Sequence, residues 1–168
     1  MTAYRRRFVP SGTYFFTVNL ADPTSNLLVE RVDLLRAAVR LCKKNQPFEI
    51  NAAVILPSTL HMIWTLPEGD SGYSARWRHI KSTFSRHVPA AANRCASMRA
   101  RGEKGIWQRR FWEHQIRDQD DYALHAHLIA TAPLKLNLVR NPADWPLCSA
   151  HKRKTSGRLA TRANVNAA

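Results

Sequence analysis

The sequence has few cysteines, few acidic residues and no long apolar run, and each shortage excludes a class of protein. Its three cysteines, Cys42, Cys95 and Cys148, are an odd number and form no C-x-x-C pair, which argues against a disulfide framework and a zinc knuckle. The longest apolar stretches are strand-sized, well short of the ~20 residues of a membrane-spanning helix, and the start resembles no export signal. We therefore expect a cytoplasmic protein without a membrane partner.

The shortage of acidic residues leaves a large positive charge. Twelve Asp and Glu face 26 Lys and Arg, for a formal net charge of +14 at pH 7, and such an excess favours a polyanionic partner, above all nucleic acid. The 168 residues, 45% of them hydrophobic, suffice for one compact domain. We predict that this domain spans residues 1–149 and that the basic segment 150–168 is a mobile tail.

The order of predicted elements indicates an α+β protein. Strands are predicted over 13–20, 48–56 and 60–66, and strand-like spacing recurs over 107–117. Amphipathic helices are predicted over 29–44 and 74–88, and a third over 118–132, with Asp118 as N-cap and an end before Pro133. The Ala- and Arg-rich stretch 89–105 is predicted to be a loop insertion. This order predicts an antiparallel sheet with helices packed on one face, akin to the split βαβ arrangement.

Basic and aromatic residues alternate in three places, a pattern typical of surfaces that bind nucleic acid strands. Guanidinium groups pair with phosphates, while flat rings stack on exposed bases at ~1–3 kcal/mol per base. For any single aromatic, burial in the core is the commoner role, so the hypothesis rests on the cluster. The predicted DNA-binding residues are Arg5, Arg6, Arg76, Arg78, Lys81, Trp107, Arg109, Arg110, Trp112 and Arg117.

Several segments, in order between about positions 4 and 147, resemble the conserved blocks of REP-associated tyrosine transposases, bacterial proteins of the HUH single-tyrosine superfamily. These segments read YRRRFVPSGTYFFTVNL, PFEINAAVILP, HMIWTLPEGD, RWRHIKSTFSR, GIWQRRFWEHQIRD and NPADWP. The resemblance implies a ferredoxin-like α+β fold that recognises hairpins of single-stranded DNA and cuts beside them. It also implies a histidine pair on a strand that holds Mg²⁺ or Mn²⁺, and a helix tyrosine that attacks the phosphodiester.

At the positions where the resemblance implies catalytic groups, this sequence departs from the family pattern. Thr59 occupies the position of the first histidine, so only the second histidine of the pair, His61, is present. Leu128 occupies the position of the tyrosine nucleophile, and Ala132 occupies the position of the polar residue that completes the metal shell. Leucine has no lone pair to attack phosphorus, and a single imidazole would bind Mg²⁺ weakly. We therefore expect a DNA-binding member whose strand cleavage is lost, with no cofactor bound.

Other residues could in principle replace the lost groups. Tyr122 precedes Leu128 by six residues, about 9 Å along a helix and on a different face, so its use would need the helix to shift. His125 lies nearly on the Leu128 face, although a lone helix histidine is more often exposed or hydrogen-bonded. Two alternatives therefore stay open: an active transposase or endonuclease with rerouted chemistry, and a regulatory domain that binds RNA. A monomer is the favoured oligomeric state.

Overall fold

The computed structural model describes residues 10–149, and it contains one four-stranded antiparallel sheet. The strands are β1 (Thr13–Asn19), β2 (Glu49–Ile55), β3 (Thr59–Thr65) and β4 (Trp112–Gln115), in the spatial order β2-β3-β1-β4. The helices are α1 (Leu27–Glu30), α2 (Val32–Asn45), α3 (Tyr73–Arg86), α4 (Ala96–Ala100) and α5 (Gln119–Lys135), followed by a 3₁₀ turn over Pro142–Asp144. This order confirms the α+β, ferredoxin-like prediction.

The sheet separates two apolar clusters because successive side chains of a strand point to opposite faces. On β1, Tyr14, Phe16 and Val18 enter the larger cluster with α2 and α3, whereas Phe15 enters the smaller one with Ile129 of α5. The expectation that helices cover one face therefore holds for α2 and α3, and α5 packs on the other face. The smaller cluster also contains Ala52, Val54, Leu56, Ile63, Ala132 and Cys148.

The predicted first long helix is interrupted at Arg31, whose φ of −116° and ψ of 33° are not helical. Beyond this break, Leu35, Val39 and Cys42 recur at helical spacing and are buried, as amphipathic periodicity predicts. Cys42 and Cys148 are free and buried, and Cys95 is free and exposed. These three free thiols agree with the expectation of no disulfide framework.

Helix α5 continues through Pro133, although the sequence predicted that it ends before this residue. Proline has no N–H, so the carbonyl of Ile129 loses its usual helical donor. The thiol of Cys148 supplies a replacement, with Sγ 3.8 Å from Ile129 O. At the other end, the predicted N-cap Asp118 accepts a hydrogen bond from the Asp121 backbone N–H at 2.8 Å. The helix therefore begins as predicted and is prolonged by a tertiary contact.

The strand-like segment 107–117 is also shorter in the structure than predicted. Residues 106 to 108 pair with the end of β1, where Ala21 N–H donates to Ile106 O and Gln108 N–H to Asn19 O. The chain then leaves the sheet and returns as β4 at residue 112. Trp107 and Phe111 both pack against the larger cluster, so the intervening residues bulge outward.

Arg76 is buried and structural, which corrects its prediction as a DNA-binding residue. Its guanidinium binds both carboxylate oxygens of Asp70, at 2.5 and 3.1 Å, and donates to Gln46 O and Pro47 O. Only 3% of the side chain is exposed. The Arg76 hydrogen bonds hold the pKa of Asp70 below its ordinary value. This network joins α3 to the loops before it and after α2, and it uses four of the five N–H donors of a guanidinium that is buried away from any phosphate.

We expect Arg76→Met to lower the free energy of unfolding by about 2–3 kcal/mol, because it leaves the Asp70 carboxylate and two carbonyls without their donor. The loss should stay below that of a fully buried pair, since 32% of the Asp70 side chain is exposed. Urea unfolding followed by circular dichroism measures it. Arg78→Met, two residues along the same helix and exposed, is the matched control and should change stability by less than about 0.5 kcal/mol. Equal losses in both variants would contradict this role of Arg76.

Candidate nucleic-acid interface and inherited site

A basic groove of about 830 Å³ lies between α3 and the segment 98–111. Its floor includes the rings of Trp77, Trp107 and Phe111, and Trp107 packs edge-on against Phe84 with centroids 5.3 Å apart. Its walls carry one carboxylate, Glu103, against six cationic side chains. These six are Arg78, Lys81, Arg86, Arg101, Lys104 and Arg109.

The loop that forms the outer wall of this groove is fastened by its own polar contacts. Lys104 Nζ donates to Arg86 O and Val88 O at 3.0 and 2.8 Å, and Ala91 N–H donates to Lys104 O. Gly105 has a φ of +68°, and a Cβ there would meet Arg94 Cγ at 2.9 Å. The predicted loop 89–105 therefore has a defined conformation, includes α4 and forms one wall of the groove.

The cations of the groove differ in how far they are already engaged. Arg101 and Arg109 share the Glu103 carboxylate, at 2.9 and 3.1 Å, and these contacts, with that of Arg101 first, hold the pKa of Glu103 low. Lys81 Nζ donates to Gln108 O and lies within 6 Å of the Trp107 and Phe111 rings. Within residues 10–149, Arg78 and Arg86 make no ion pair, so they are the cations best placed to meet an anion.

The structure gathers some of the predicted DNA-binding residues in this groove and separates others from it. Arg78, Lys81, Trp107 and Arg109 line it, whereas Arg110 is exposed outside its lining and Arg5 and Arg6 lie outside the described residues. The sequence interpretation missed Arg86, Arg101 and Lys104, because two of them belong to the loop that seemed irregular.

Trp112 and Arg117, two further predicted DNA-binding residues, flank the side of the sheet that α5 covers. Trp112 is 50% exposed and lies edge-on to Phe15, with centroids 5.8 Å apart. Arg117 is exposed in the turn between β4 and α5. The two residues therefore lie apart from the groove lining.

The four positions implied by the family resemblance lie in one layer, between the sheet and α5. Thr59 and His61 alternate with the buried Leu60 and Met62 and so share the α5 face of β3. His61 stacks on Phe15, which belongs to the smaller cluster.

The two helix positions reach the same layer from α5. Ala132 is 6% exposed within the smaller cluster, and Leu128 packs against that cluster. Tyr122, the alternative nucleophile, also packs against it.

The polar groups in this layer bond to one another. Thr59 Oγ1 donates to Asn19 Oδ1 at 2.8 Å, and His61 Nδ1 lies 2.9 Å from Thr17 Oγ1. Burial lowers the pKa of His61 to about 4, so the imidazole is neutral at pH 7. Thr59, Leu128 and Ala132 offer one hydroxyl and two hydrocarbon side chains. These residues do not fit Mg²⁺ or Mn²⁺, which need several oxygen ligands.

A third polar group on this face joins β4 to α5. His114 Nε2 lies 2.8 Å from Oδ2 and 3.0 Å from Oδ1 of the Asp121 carboxylate, and His125 Nδ1 lies 3.0 Å from Oδ1. The sequence interpretation considered His125 alone and missed the cluster. The four-residue spacing of Asp121 and His125 could have indicated their proximity, since residues four apart on a helix share one face.

Within residues 10–149, no helix is both long and apolar enough to span a membrane.

No protein-family model matches the chain. Two proteins are similar to it over most of their length. A REP-associated tyrosine transposase of Escherichia coli K12 is 44% identical over 157 residues, which cover 94% of this chain and 87% of that protein. A putative REP-associated tyrosine transposase of Haemophilus influenzae is 40% identical over 153 residues, with coverages of 90% and 87%.

A solved structure, described as a REP-associated tyrosine transposase bound to a REP hairpin, superimposes with a TM-score of 0.80. It is 44% identical and covers 94% of this chain and 87% of its own. Identity at this level extends over most of both chains, so it covers the whole fold rather than one isolated motif. The chain belongs to the REP-associated tyrosine transposase family.

Proposed function

We propose that this protein binds hairpin or single-stranded DNA in the basic groove between α3 and the segment 98–111. The observation that carries the proposal is the gathering of six cationic side chains against one carboxylate in a single groove. Phosphate contacts of this kind supply most of the affinity of a protein for nucleic acid. The solved relative bound to a REP hairpin supports DNA as the partner class for the same fold.

We further propose that strand cleavage by the family's route is lost. A leucine at position 128 has no oxygen to attack phosphorus, and no change of pKa or rotamer supplies one. Ala132 has no ligand atom, and the Thr59 hydroxyl already donates to Asn19. The losses concern one layer under α5, whereas the groove is built from α3 and the segment after it. Binding can therefore persist without the chemistry.

Replacement of the two unpaired arginines tests the groove. We expect Arg78→Ala/Arg86→Ala to weaken binding of a REP-type DNA hairpin by about 10- to 150-fold for each arginine, because a charged hydrogen bond to phosphate is worth about 1.5–3 kcal/mol. The slope of log affinity against log salt should become shallower by about 0.7 to 0.9 for each lost phosphate contact. Fluorescence anisotropy over a salt series measures both quantities.

The matched control is Arg36→Ala/Arg40→Ala, which removes the same charge from exposed positions on α2. It should leave affinity and salt slope nearly unchanged. Equal weakening by the two double variants would show a diffuse charge effect and contradict the groove. A structured RNA that competes better than the hairpin would instead favour the RNA-binding alternative, since A-form geometry and the 2′-OH are recognised differently.

Incubation of the purified protein with labelled hairpin DNA and Mg²⁺ or Mn²⁺ tests the loss of chemistry. We expect neither cut strands nor a covalent protein–DNA adduct on a denaturing gel, because no nucleophile stands at position 128. A cut or adduct that disappears in His61→Ala or Tyr122→Phe would overturn the proposal and establish the rerouted enzyme. Binding measured in the same samples ensures that the absence of product reflects chemistry.

The neutral state of His61 has its own test in the pH dependence of stability. The folded pKa of about 4 lies below the ordinary value of 6.5, so between these values the unfolded chain binds a proton that the folded protein excludes. The free energy of unfolding should therefore fall as pH drops from about 6.5 to about 4. Urea unfolding at pH 7 and 4.5 should show a smaller fall in His61→Gln than in the unchanged protein. His127→Gln, at an exposed position, is the control, and its stability should fall as much as that of the unchanged protein. Equal falls in all three proteins would refute the lowered pKa of His61.

A further inference from the structure

Three side chains that could bind a metal converge where β4 leads into α5, outside both the groove and the four family positions. His114 comes from β4, and Asp121 and His125 come from the first two turns of α5. One ligand atom from each lies within 4.8 Å of the others. All three belong to a stretch of 12 residues, 114–125, so the Asp118 N-cap that begins the helix also sets their relative positions. We call them the His–Asp–His cluster.

The distances between each imidazole nitrogen and the Asp121 carboxylate are close to those of a metal site. His114 Nε2 lies 2.8 Å from Asp121 Oδ2, and His125 Nδ1 lies 3.0 Å from Asp121 Oδ1 and 2.8 Å from the Asp121 carbonyl oxygen. Four ligands at 2.0–2.1 Å from a tetrahedral zinc are separated by about 3.3 Å. The nitrogen–carboxylate pairs therefore need to move apart by only a few tenths of an ångström to admit an ion.

Aromatic rings hold the two imidazoles in place. The His114 and His125 rings stack with centroids 4.5 Å apart, Phe15 packs against His125 at 4.7 Å, and Trp112 stacks on His114 at 5.8 Å. The rings leave the imidazoles little freedom to rotate, which lowers the entropic cost of organising ligands. His114 keeps 24% of its side chain exposed, against 10% for His125. An ion would thus enter from the His114 side.

The chemistry of the cluster selects one class of ion. Burial opposes ionisation of Asp121, but hydrogen bonds from His114 and the Arg117 backbone N–H outweigh it, so the pKa of this carboxyl lies below its ordinary value. Two imidazole nitrogens and one carboxylate suit zinc and similar divalent transition metals, whereas Mg²⁺ prefers oxygen ligands.

We propose that His114, Asp121 and His125 form a binding site for a divalent transition metal ion of the zinc type, with a water molecule as fourth ligand. On binding, each coordinating nitrogen gives up its proton and the other nitrogen of the same ring takes one from solvent, so that each histidine stays a neutral imidazole and the freed lone pair bonds the metal. The ion replaces the hydrogen bonds that otherwise tie β4 to the start of α5. The site lies on the face of the sheet opposite to α3, which forms one wall of the groove. None of the residues that line the groove belongs to the site.

Isothermal titration of the full chain with Zn²⁺, Mn²⁺ and Mg²⁺ tests the site. We expect one equivalent of Zn²⁺ to bind and Mg²⁺ to give no binding at millimolar concentration. Asp121→Asn and His114→Gln, which keep the size of each side chain, should each weaken Zn²⁺ binding by about 100-fold or more, since loss of even an outer partner costs 10- to 100-fold. His127→Gln and His61→Gln are the controls and should bind Zn²⁺ like the unchanged protein.

Absence of Zn²⁺ binding at 0.1 mM would overturn the proposal, as would binding that survives both cluster variants or disappears in His61→Gln. Circular dichroism of each variant checks folding, and His114, partly exposed on the edge strand, is the substitution least able to disturb the core. Cobalt(II) absorption gives a second readout, because tetrahedral coordination produces strong visible bands that a set of hydrogen bonds cannot. A chain that binds no metal and still binds DNA would refute this site and leave the proposed function intact.

Discussion

The alternation of side chains along β1 is the constraint on which the rest of the structure depends. This strand lies between β3 and β4, and its neighbouring residues Phe15 and Phe16 point to opposite faces of the sheet. Phe16 anchors the cluster beneath α2 and α3, while Phe15 touches His61, Trp112 and His125. A slip of one residue in the pairing would exchange the two faces. The core and the polar layer are thus set by one register.

The same alternation keeps the basic groove and the four positions implied by the family resemblance on different sides of the sheet. The groove depends on α3, which the Arg76–Asp70 network holds to its neighbouring loops, and on the loop that Lys104 fastens. The layer that holds these four positions depends on β3 and α5. Substitutions in one layer need not disturb the packing of the other, because the sheet separates them. The proposed DNA binding and the proposed loss of cleavage therefore concern residues on different faces of the sheet.

Much of the fold could be predicted from local patterns, and the errors occur where distant residues intervene. The two strands around Pro57-Ser58 and the helix with Trp77, Ile80 and Phe84 appear as predicted, since their periodicity reflects burial on one face. Helix α5 passes Pro133 because Cys148, far along the chain, satisfies the freed carbonyl. Arg76 was predicted on the surface because a basic residue is usually exposed, and only the fold brings Asp70 and two carbonyls to it.

The sequence by itself determined which side-chain chemistry is available: the charge of +14, a hydrocarbon side chain at position 128, and a single histidine, His61, on β3. These properties belong to the side chains and do not change on folding. The tertiary structure alone decided which groups meet. Arg86, Arg101 and Lys104 converge across a groove, and His114 reaches Asp121 and His125, because helix packing and strand order bring together residues from separate elements. Proximity of that kind arises from the path of the whole chain, which no local pattern encodes.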